Sequence, residues 1–248
     1  MRAPKHPIPV QTIFRRCLLA NFAVDPDVMR LALPTHIEPD LHDGAAYLSV
    51  VVGQMEKMRP AAVPKALGIT YNQIVYRAVV RYRDERGVHF LRSDADSRVM
   101  CTLGNLMSFF RFNRSAISFR EHDGILDLDV APRDDPAGIV HASYTIGRPS
   151  RTMPPHSGFS DLSTATSWLV ELFTAFDHTP GRDSIDVVRI RRGQWDVSVV
   201  DDLRGEYELM KRTPFSESTA KLDSVFLVGD VPYHWHRLEH LPLTPTHS

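Results

Sequence analysis

The sequence predicts a mainly β fold, an antiparallel barrel or a two-sheet sandwich with two or three short helices. About ten segments rich in β-branched and aromatic residues have the lengths of strands. Short turns join most of these segments, which favours antiparallel pairing over a doubly wound parallel sheet. With so many strands, closing the sheet or packing two sheets together protects the strand edges.

The first half of the chain contains the strongest strand signals and one main helix. Asp25 and Pro26 start a short helix, because Asp caps helix N-termini and proline fits the first turn, and Pro34 ends it. Asp43-Gly44 predicts a hairpin turn. After Ser97 apolar residues recur at helical intervals, which predicts a helix over 97–108. The predicted strands are 12–22, 37–41, 45–55, 71–82 and 88–92.

The second half alternates strands with two longer loops. Asp123-Gly124 and Gly193 mark the turns of two predicted hairpins. A cluster of prolines predicts a loop over 148–160, and apolar residues at helical spacing then predict a helix over 163–176. The predicted strands are 109–120, 125–130, 141–147, 185–191, 194–200 and 221–228.

Length and composition are those of an ordinary globular protein. The 248 residues suffice for one large domain, and we expect a single domain over 1–248. A formal net charge of -1 provides no basic field for a phosphate backbone, which argues against nucleic acid as a partner. There is no signal-peptide pattern, no apolar run of membrane-spanning length and no cysteine framework beyond Cys17 and Cys101. We therefore expect a cytoplasmic protein that does not bind membranes.

A motif search excludes several catalytic classes and leaves one candidate metal site. The chain contains no phosphate-binding P-loop, no GxGxxG turn after a strand and no GxSxG nucleophile elbow. In a strand, His234 and His236 would face the same side and, with His240 or Glu239, could ligate a metal. We favour the alternative, a polar terminal segment with Trp235 packed inward and solvated histidines, and predict no metal.

Arg77 is the main functional candidate, because it interrupts an otherwise apolar strand that includes Ile74, Val75 and Val79. A guanidinium at this position either extends to solvent or is buried and binds a carboxylate. If its face lines the barrel interior, Arg77 needs an anionic partner, which Asp94 or a ligand carboxylate could supply. Asp94 lies where a strand gives way to a helix, so it either caps that helix or serves an active site.

Two blocks of sequence resemble a YqjF-like family of uncharacterised bacterial proteins, from about Val10 to Phe112. The first block comprises NFAVDP at 21–26, LP at 33–34, EPD at 38–40 and GAAYLSVV at 44–51; the second comprises YRAVV at 76–80 and GVHFLRSDA at 87–95. This family is similar in fold to acetoacetate decarboxylase. The resemblance implies a cone-like antiparallel β-barrel with an interior pocket.

The chain differs from acetoacetate decarboxylase at the positions of that enzyme's catalytic residues. The enzyme uses a pocket lysine, sharpened by an adjacent lysine, as a Schiff-base nucleophile, but residues 105–111 here contain no lysine. A glutamate expected four residues before Arg77 is Gln73, which removes a carboxylate base and leaves a hydrogen-bonding group. We therefore predict that no Schiff base forms. The lysines of the chain are Lys5, Lys57, Lys65, Lys211 and Lys221.

Two main functions remain open. The first is an enzyme in which Arg77 holds the carboxylate or enolate of a metabolite and His89, Asp94 or Tyr47 supplies acid–base chemistry. The second is a non-catalytic protein that binds a small ligand in the same barrel, and a metal enzyme using the histidine-rich tail is a distant third. The predicted catalytic residues are Arg77, His89 and Asp94, and the predicted ligand-binding residues are Tyr47, Gln73 and Asn105. We expect a small-molecule partner and no cofactor; an anionic ligand and homo-oligomerisation remain open.

Overall fold

The computed structural model describes residues 9–107, 110–179 and 181–243. In these ranges the chain forms fourteen strands in one sheet, three α-helices and three short 3₁₀ turns. The helices are α1 (Pro26–Ala32), α2 (Arg98–Met107) and α3 (Leu162–Leu169), and the 3₁₀ turns are Lys65–Leu67, Pro136–Gly138 and Glu208–Lys211. None of the helices in the described ranges has the length and apolar character needed to cross a membrane.

Seven strands precede residue 133 and seven follow it. The first seven are β1 (Val10–Val24), β2 (Glu38–Pro39), β3 (Ala46–Pro60), β4 (Ile69–Tyr82), β5 (Glu85–Ala95), β6 (Phe112–His122) and β7 (Ile125–Pro132). The others are β8 (Val140–Ser150), β9 (Thr174–His178), β10 (Ser184–Arg192), β11 (Val197–Tyr207), β12 (Ala220–Val228), β13 (Val231–Trp235) and β14 (Glu239–Pro242).

The strand pairings close the sheet twice. One ring runs β1-β3-β4-β5-β6-β7-β8-β11-β12 and returns to β1, so it has nine strands. A second ring runs β1-β3-β4-β5-β9-β10-β13 and also returns to β1, so it has seven. Strand β5 pairs in parallel with β6 and β9, and the other pairings are antiparallel. The predicted mainly β fold with a closed, mostly antiparallel sheet is confirmed.

Two long strands divide their lengths between the rings. In β1, residues 17–24 pair with β12 and residues 10–14 pair with β13. In β5, residues 93–95 pair with β6, while Val88 pairs with Ala175 of β9. Gly87 permits the second of these contacts, because a Cβ there would lie 2.4 Å from the backbone oxygen of Thr174.

Strands β1, β3, β4 and β5 belong to both rings, and the middle of β4 is buried on both faces. Along β4, Tyr76 and Ala78 point into the nine-strand ring and pack with side chains of β7 and β8. Val75 and Val79 point the other way and belong to the core of the seven-strand ring, with Ala175 and others from β9, β10 and β13. A strand buried on both faces has apolar residues at consecutive positions, which explains the apolar runs 74–76 and 78–80 of β4.

Local sequence signals locate the first half of the fold well. Strands β1, β3 and β4 and helix α2 lie within a few residues of the predicted bounds, and β4 and β5 form the predicted hairpin. Ser108, the predicted end of α2, lies outside the described residues. The predicted hairpin of 37–41 with 45–55 is wrong, since β2 is two residues long and pairs with β4. Asp43 and Gly44 nevertheless form a turn with positive φ angles of 46° and 81°.

The errors in the second half share one physical cause, which is pairing between distant segments. The predicted helix 163–176 is wrong beyond Leu169, because residues 174–178 form β9 between β5 and β10. The predicted hairpin around Gly193 is also wrong. Strand β10 pairs with β9, β13 and β14, whereas β11 pairs with β8 and β12, so Gly193 lies where the chain passes between the rings.

Candidate ligand-binding site

The seven-strand ring contains a cavity of about 180 Å³. It occupies the end of the ring where β1 begins, β3 ends and β4 begins, and α2 covers one side. Cavities of about 150 Å³ lined by apolar side chains bind molecules of benzene's size. Most of the wall is apolar, including Val75, Phe90, Met100, Phe110, Phe112 and Trp235.

A few neutral hydrogen-bonding groups interrupt this apolar wall. Tyr71 donates its hydroxyl hydrogen to Gln73 Oε1 at 3.1 Å, and burial raises the pKa of Tyr71, which keeps the hydroxyl protonated. The NH₂ group of Gln73 has no acceptor among the described residues. Ser93 also lines the cavity, and it lies opposite Val75 in the β4–β5 register, next to Gln73 on the same face. Gln73 and Ser93 can therefore hold an oxygen of a ligand.

The described cavity wall contains no carboxylate, histidine or lysine. Its one cation is Arg59 of β3, whose Nε donates to the Val63 carbonyl oxygen at 3.1 Å and whose Nη1 donates to that of Lys57 at 2.9 Å. The cavity can bind and orient a small molecule, but the described wall offers no group that exchanges protons near neutral pH.

Arg77 lies on the same face of β4 as Gln73 and Val75, further along the ring. It is 5% exposed, and burial lowers the pKa of its guanidinium. Its Nη2 donates to the Leu169 carbonyl oxygen at 2.8 Å. Nε is buried and has no partner among the described residues. Arg77 is thus a buried cation, as one of the two interpretations of the sequence requires.

A β-bulge keeps Asp94 away from Arg77. Arg77 pairs with Phe90, but Tyr76 pairs with Arg92, so the register shifts by one residue at Leu91. A shift by one residue exchanges the faces of a strand. The bulge therefore points Ser93 into the cavity and Asp94 into the nine-strand ring.

Inside the nine-strand ring, Asp94 forms an ion pair. Arg92 Nε and Nη2 donate to its two carboxylate oxygens at 2.6 and 2.8 Å, and Ser115 Oγ donates at 2.8 Å. The alternative that Asp94 caps α2 is wrong, because Ser97 Oγ accepts from Met100 N at 3.2 Å.

His89 is also on the face opposite to Arg77. It pairs with Ala78 in the register and is buried, with its Nδ1 3.0 Å from the Phe176 carbonyl oxygen and 3.6 Å from Asp177 Oδ1. Burial lowers the pKa of His89 and raises that of Asp177, so burial opposes the charged form of each. The structure therefore does not bring the three predicted catalytic residues together.

Of the three predicted ligand-binding residues, Gln73 alone lines the described cavity wall. Tyr47 is buried against Phe159, with ring centroids 5.0 Å apart, and burial raises its pKa. The amide of Asn105 accepts from Phe112 N at 2.7 Å and donates to Phe112 O at 2.9 Å. Asn105 thus ties α2 to the start of β6 and positions a ring of the cavity wall.

The histidines of the tail separate in the structure. His234 belongs to β13, and His236 donates its backbone N–H to the Arg189 carbonyl oxygen at 2.8 Å. His240 is on β14, with Nδ1 2.7 Å from Asp186 Oδ1. Within the described part of the chain, no three His, Cys, Asp or Glu side chains are grouped as metal ligands.

The fold is similar to those of three solved enzymes. An acetoacetate decarboxylase-like enzyme from Sphingomonas wittichii RW1 matches with a TM-score of 0.64 and 13% identity, over 98% of this chain and 100% of that one. Acetoacetate decarboxylase from Legionella pneumophila matches with 0.62 and 13%, over 97% and 92%. The enduracididine biosynthesis enzyme MppR, complexed with the condensation product of pyruvate and imidazole 4-carboxaldehyde, matches with 0.62 and 13%, over 95% and 90%. At identities this low, the TM-scores show a shared fold alone.

Sequence comparisons point to uncharacterised relatives. Uncharacterized protein YqjF of Bacillus subtilis (strain 168) is 22% identical over 128 residues, which are 51% of this chain and 53% of that protein. The match therefore spans about half the length of that relative. The DUF2071 family, described as "Uncharacterized conserved protein", matches residues 11–232. The resemblance to a YqjF-like family within the acetoacetate decarboxylase fold group is confirmed.

The ion pair with Arg92 predicts that Asp94 stabilises the fold, and a substitution at Asp94 tests this. Replacing Asp94→Asn should lower the free energy of unfolding by about 3 kcal/mol, because the charge of Arg92 would lose its main partner in the core. The exposed Asp134→Asn should change it by about 0.5 kcal/mol or less. Chemical denaturation measures both variants. An Asp94→Asn protein as stable as the parent would contradict this role.

Proposed function

The chain belongs to the DUF2071 family of uncharacterized conserved proteins, and we propose that it binds a small molecule with an apolar body and a carbonyl or carboxylate oxygen. The observation that carries this proposal is the cavity of about 180 Å³ in the seven-strand ring. Its apolar wall favours an apolar ligand body, and Gln73 and Ser93 provide hydrogen bonds at one side of the wall.

Each neutral group suits the proposed oxygen. Tyr71 orients the Gln73 amide, because its hydroxyl donates to the Gln73 side-chain oxygen. The NH₂ group of Gln73 is then left to donate to the ligand. The Ser93 hydroxyl can donate to the same ligand atom from the neighbouring strand. Leaving such donors unpaired next to an apolar ligand is costly, so ligands that carry an acceptor at this position bind preferentially.

Ligand binding has more support than a catalytic role of His89 and Asp94. The similar structures belong to enzymes, which keeps an enzyme acting on a carbonyl or carboxylate compound as the alternative. Acid–base catalysis needs a titratable group within hydrogen-bond reach of the ligand. His89 and Asp94 point away from the cavity, so neither is placed to exchange a proton with a ligand there.

We propose further that no lysine holds the ligand covalently. A Schiff base needs an uncharged amine in contact with the ligand carbonyl. The described cavity wall contains no lysine, and Lys211 and Lys221 lie in the last third of the chain, on a 3₁₀ turn and on β12.

Ligand affinity should follow the filling of the cavity. Straight-chain methyl ketones of four to eight carbons should bind with affinity rising about fourfold per methylene until the cavity is full, since each buried CH₂ contributes about 0.8 kcal/mol. Gln73→Leu should weaken ketone binding about threefold to tenfold by removing one hydrogen bond, whereas the exposed Gln194→Leu should not. Isothermal calorimetry measures both effects. Affinities independent of chain length, or identical in the two variants, would contradict the proposal.

Trapping with borohydride tests the absence of a Schiff base. Incubation with acetoacetate or pyruvate followed by sodium borohydride should leave the intact mass of the protein unchanged, as in the control without keto acid. An adduct at one mole per mole of protein, mapped to any lysine, would overturn the claim.

A further inference from the structure

We propose that Arg77 and Arg192, with Trp195 and Tyr233, form an anion-binding site at the inner end of the cavity. The ligand would then be a small monocarboxylate, with its carboxylate between the two guanidinium groups and its apolar chain in the cavity. This inference rests on the proposed function and narrows its ligand from carbonyl compounds in general to carboxylates, whose charged oxygens it assigns to the guanidinium groups and not to Gln73 and Ser93.

Arg192 lies on the opposite side of the ring and, like Arg77, donates to a backbone carbonyl oxygen at the end of α3. It belongs to β10 and donates from Nη2 to the Val170 carbonyl oxygen, next to the Leu169 carbonyl that receives Arg77. Its guanidinium carbon lies 4.2 Å from the centroid of the Trp195 ring. Burial lowers the pKa of Arg192, and Glu171 acts against that change. Neither arginine forms an ion pair with a carboxylate in the described part of the chain.

The charge of Arg192 disfavours the charged form of Arg77. Burial lowers the pKa of Arg77 and the charge of Arg192 lowers it further, and both arginines counteract the rise that burial causes in the pKa of Tyr233. The carbonyl oxygens of Leu169 and Val170, at the end of α3, supply only partial negative charge. The buried Arg77 and the half-buried Arg192 therefore have no carboxylate in an ion pair with them among the described residues, and an anion between them would supply that counter-charge.

Two residues of the proposed site carry an unused donor. The buried Nε of Arg77 and the buried Nε1 of Trp195 have no partner among the described residues. Both side chains are more than nine-tenths buried. Guanidinium groups match the geometry of a carboxylate, which can accept from two N–H groups on each oxygen, so a carboxylate would use these donors.

Arg77 and Tyr233 adjoin residues of the cavity wall. Val75 and Phe90 line the cavity, Arg77 is two residues beyond Val75 on the same face, and Phe90 is its partner on β5. A two-residue step along a strand is about 6.8 Å. On the other side Trp235 lines the cavity, and its ring centroid lies 4.4 Å from that of Tyr233. A carboxylate near Arg77 thus places a short aliphatic chain in the apolar space.

A purely structural role for the arginines makes a different prediction. If Arg77 and Arg192 only hold the end of α3, their replacement lowers stability by the same amount with and without an anion. An anion site couples the arginines to the ligand's charge, so acid and amide ligands of equal shape respond differently.

The experiment compares hexanoate with hexanamide by isothermal calorimetry. We expect the parent protein to bind hexanoate at least about tenfold more tightly, because a buried charge-assisted pair is stronger than a neutral hydrogen bond. Arg77→Met should remove this preference while changing hexanamide affinity less than about threefold. Arg120→Met, which alters an exposed arginine of β6, should leave both affinities unchanged. If Arg77→Met does not fold, Trp195→Phe should reduce the preference through the loss of one donor.

The outcomes separate this inference from the proposed function. Equal binding of hexanoate and hexanamide by the parent would overturn the anion site and leave the cavity function standing. A preference that persists unchanged in Arg77→Met, or in Trp195→Phe where that is the variant that folds, would place the anion elsewhere and also overturn it. Binding of neither compound, together with no binding of methyl ketones, would overturn both.

Discussion

The double closure of one sheet through shared strands is the constraint on which the rest of the structure depends. Strands β1, β3, β4 and β5 are walls of both rings, so much of each strand is buried on both faces. A charge in these buried stretches needs a partner inside the protein or on a ligand, because an unpaired buried charge is costly. Whether a buried charge on these strands has a partner within the protein therefore separates structural residues from candidate ligand-binding residues.

The charges on the two faces of these strands have different partners. In the nine-strand ring, Arg92 is paired with Asp94 and Asp135, and Ser115 completes the hydrogen bonding of Asp94. That network is self-contained and belongs to the core. In the seven-strand ring, Arg77 meets a backbone carbonyl and leaves one donor unused beside an apolar cavity. The asymmetry separates a structural charge cluster from a site that can accept a ligand, on neighbouring residues of one hairpin.

Much of the fold was predictable from local patterns, and the site was predictable in part. Runs of apolar residues between turns located β1, β3, β4 and α2, and the isolated arginine in an apolar strand located Arg77. The bulge at Leu91 was not predictable, because it is a matter of register, yet it decides that Ser93 and not Asp94 faces the cavity. Strand β9 and Arg192 depend on pairing between distant segments, which residue periodicity does not encode.

The central claim is that the cavity of the seven-strand ring binds a ligand whose carboxylate lies at Arg77. A crystal structure with 6-bromohexanoate tests it directly, because anomalous scattering locates the bromine independently of the rest of the ligand. The account predicts the bromine between α2 and Trp235 and the carboxylate within hydrogen-bond distance of Arg77. A bromine outside the seven-strand ring, or a ligand reversed so that its carboxylate lies at Arg59, would contradict it.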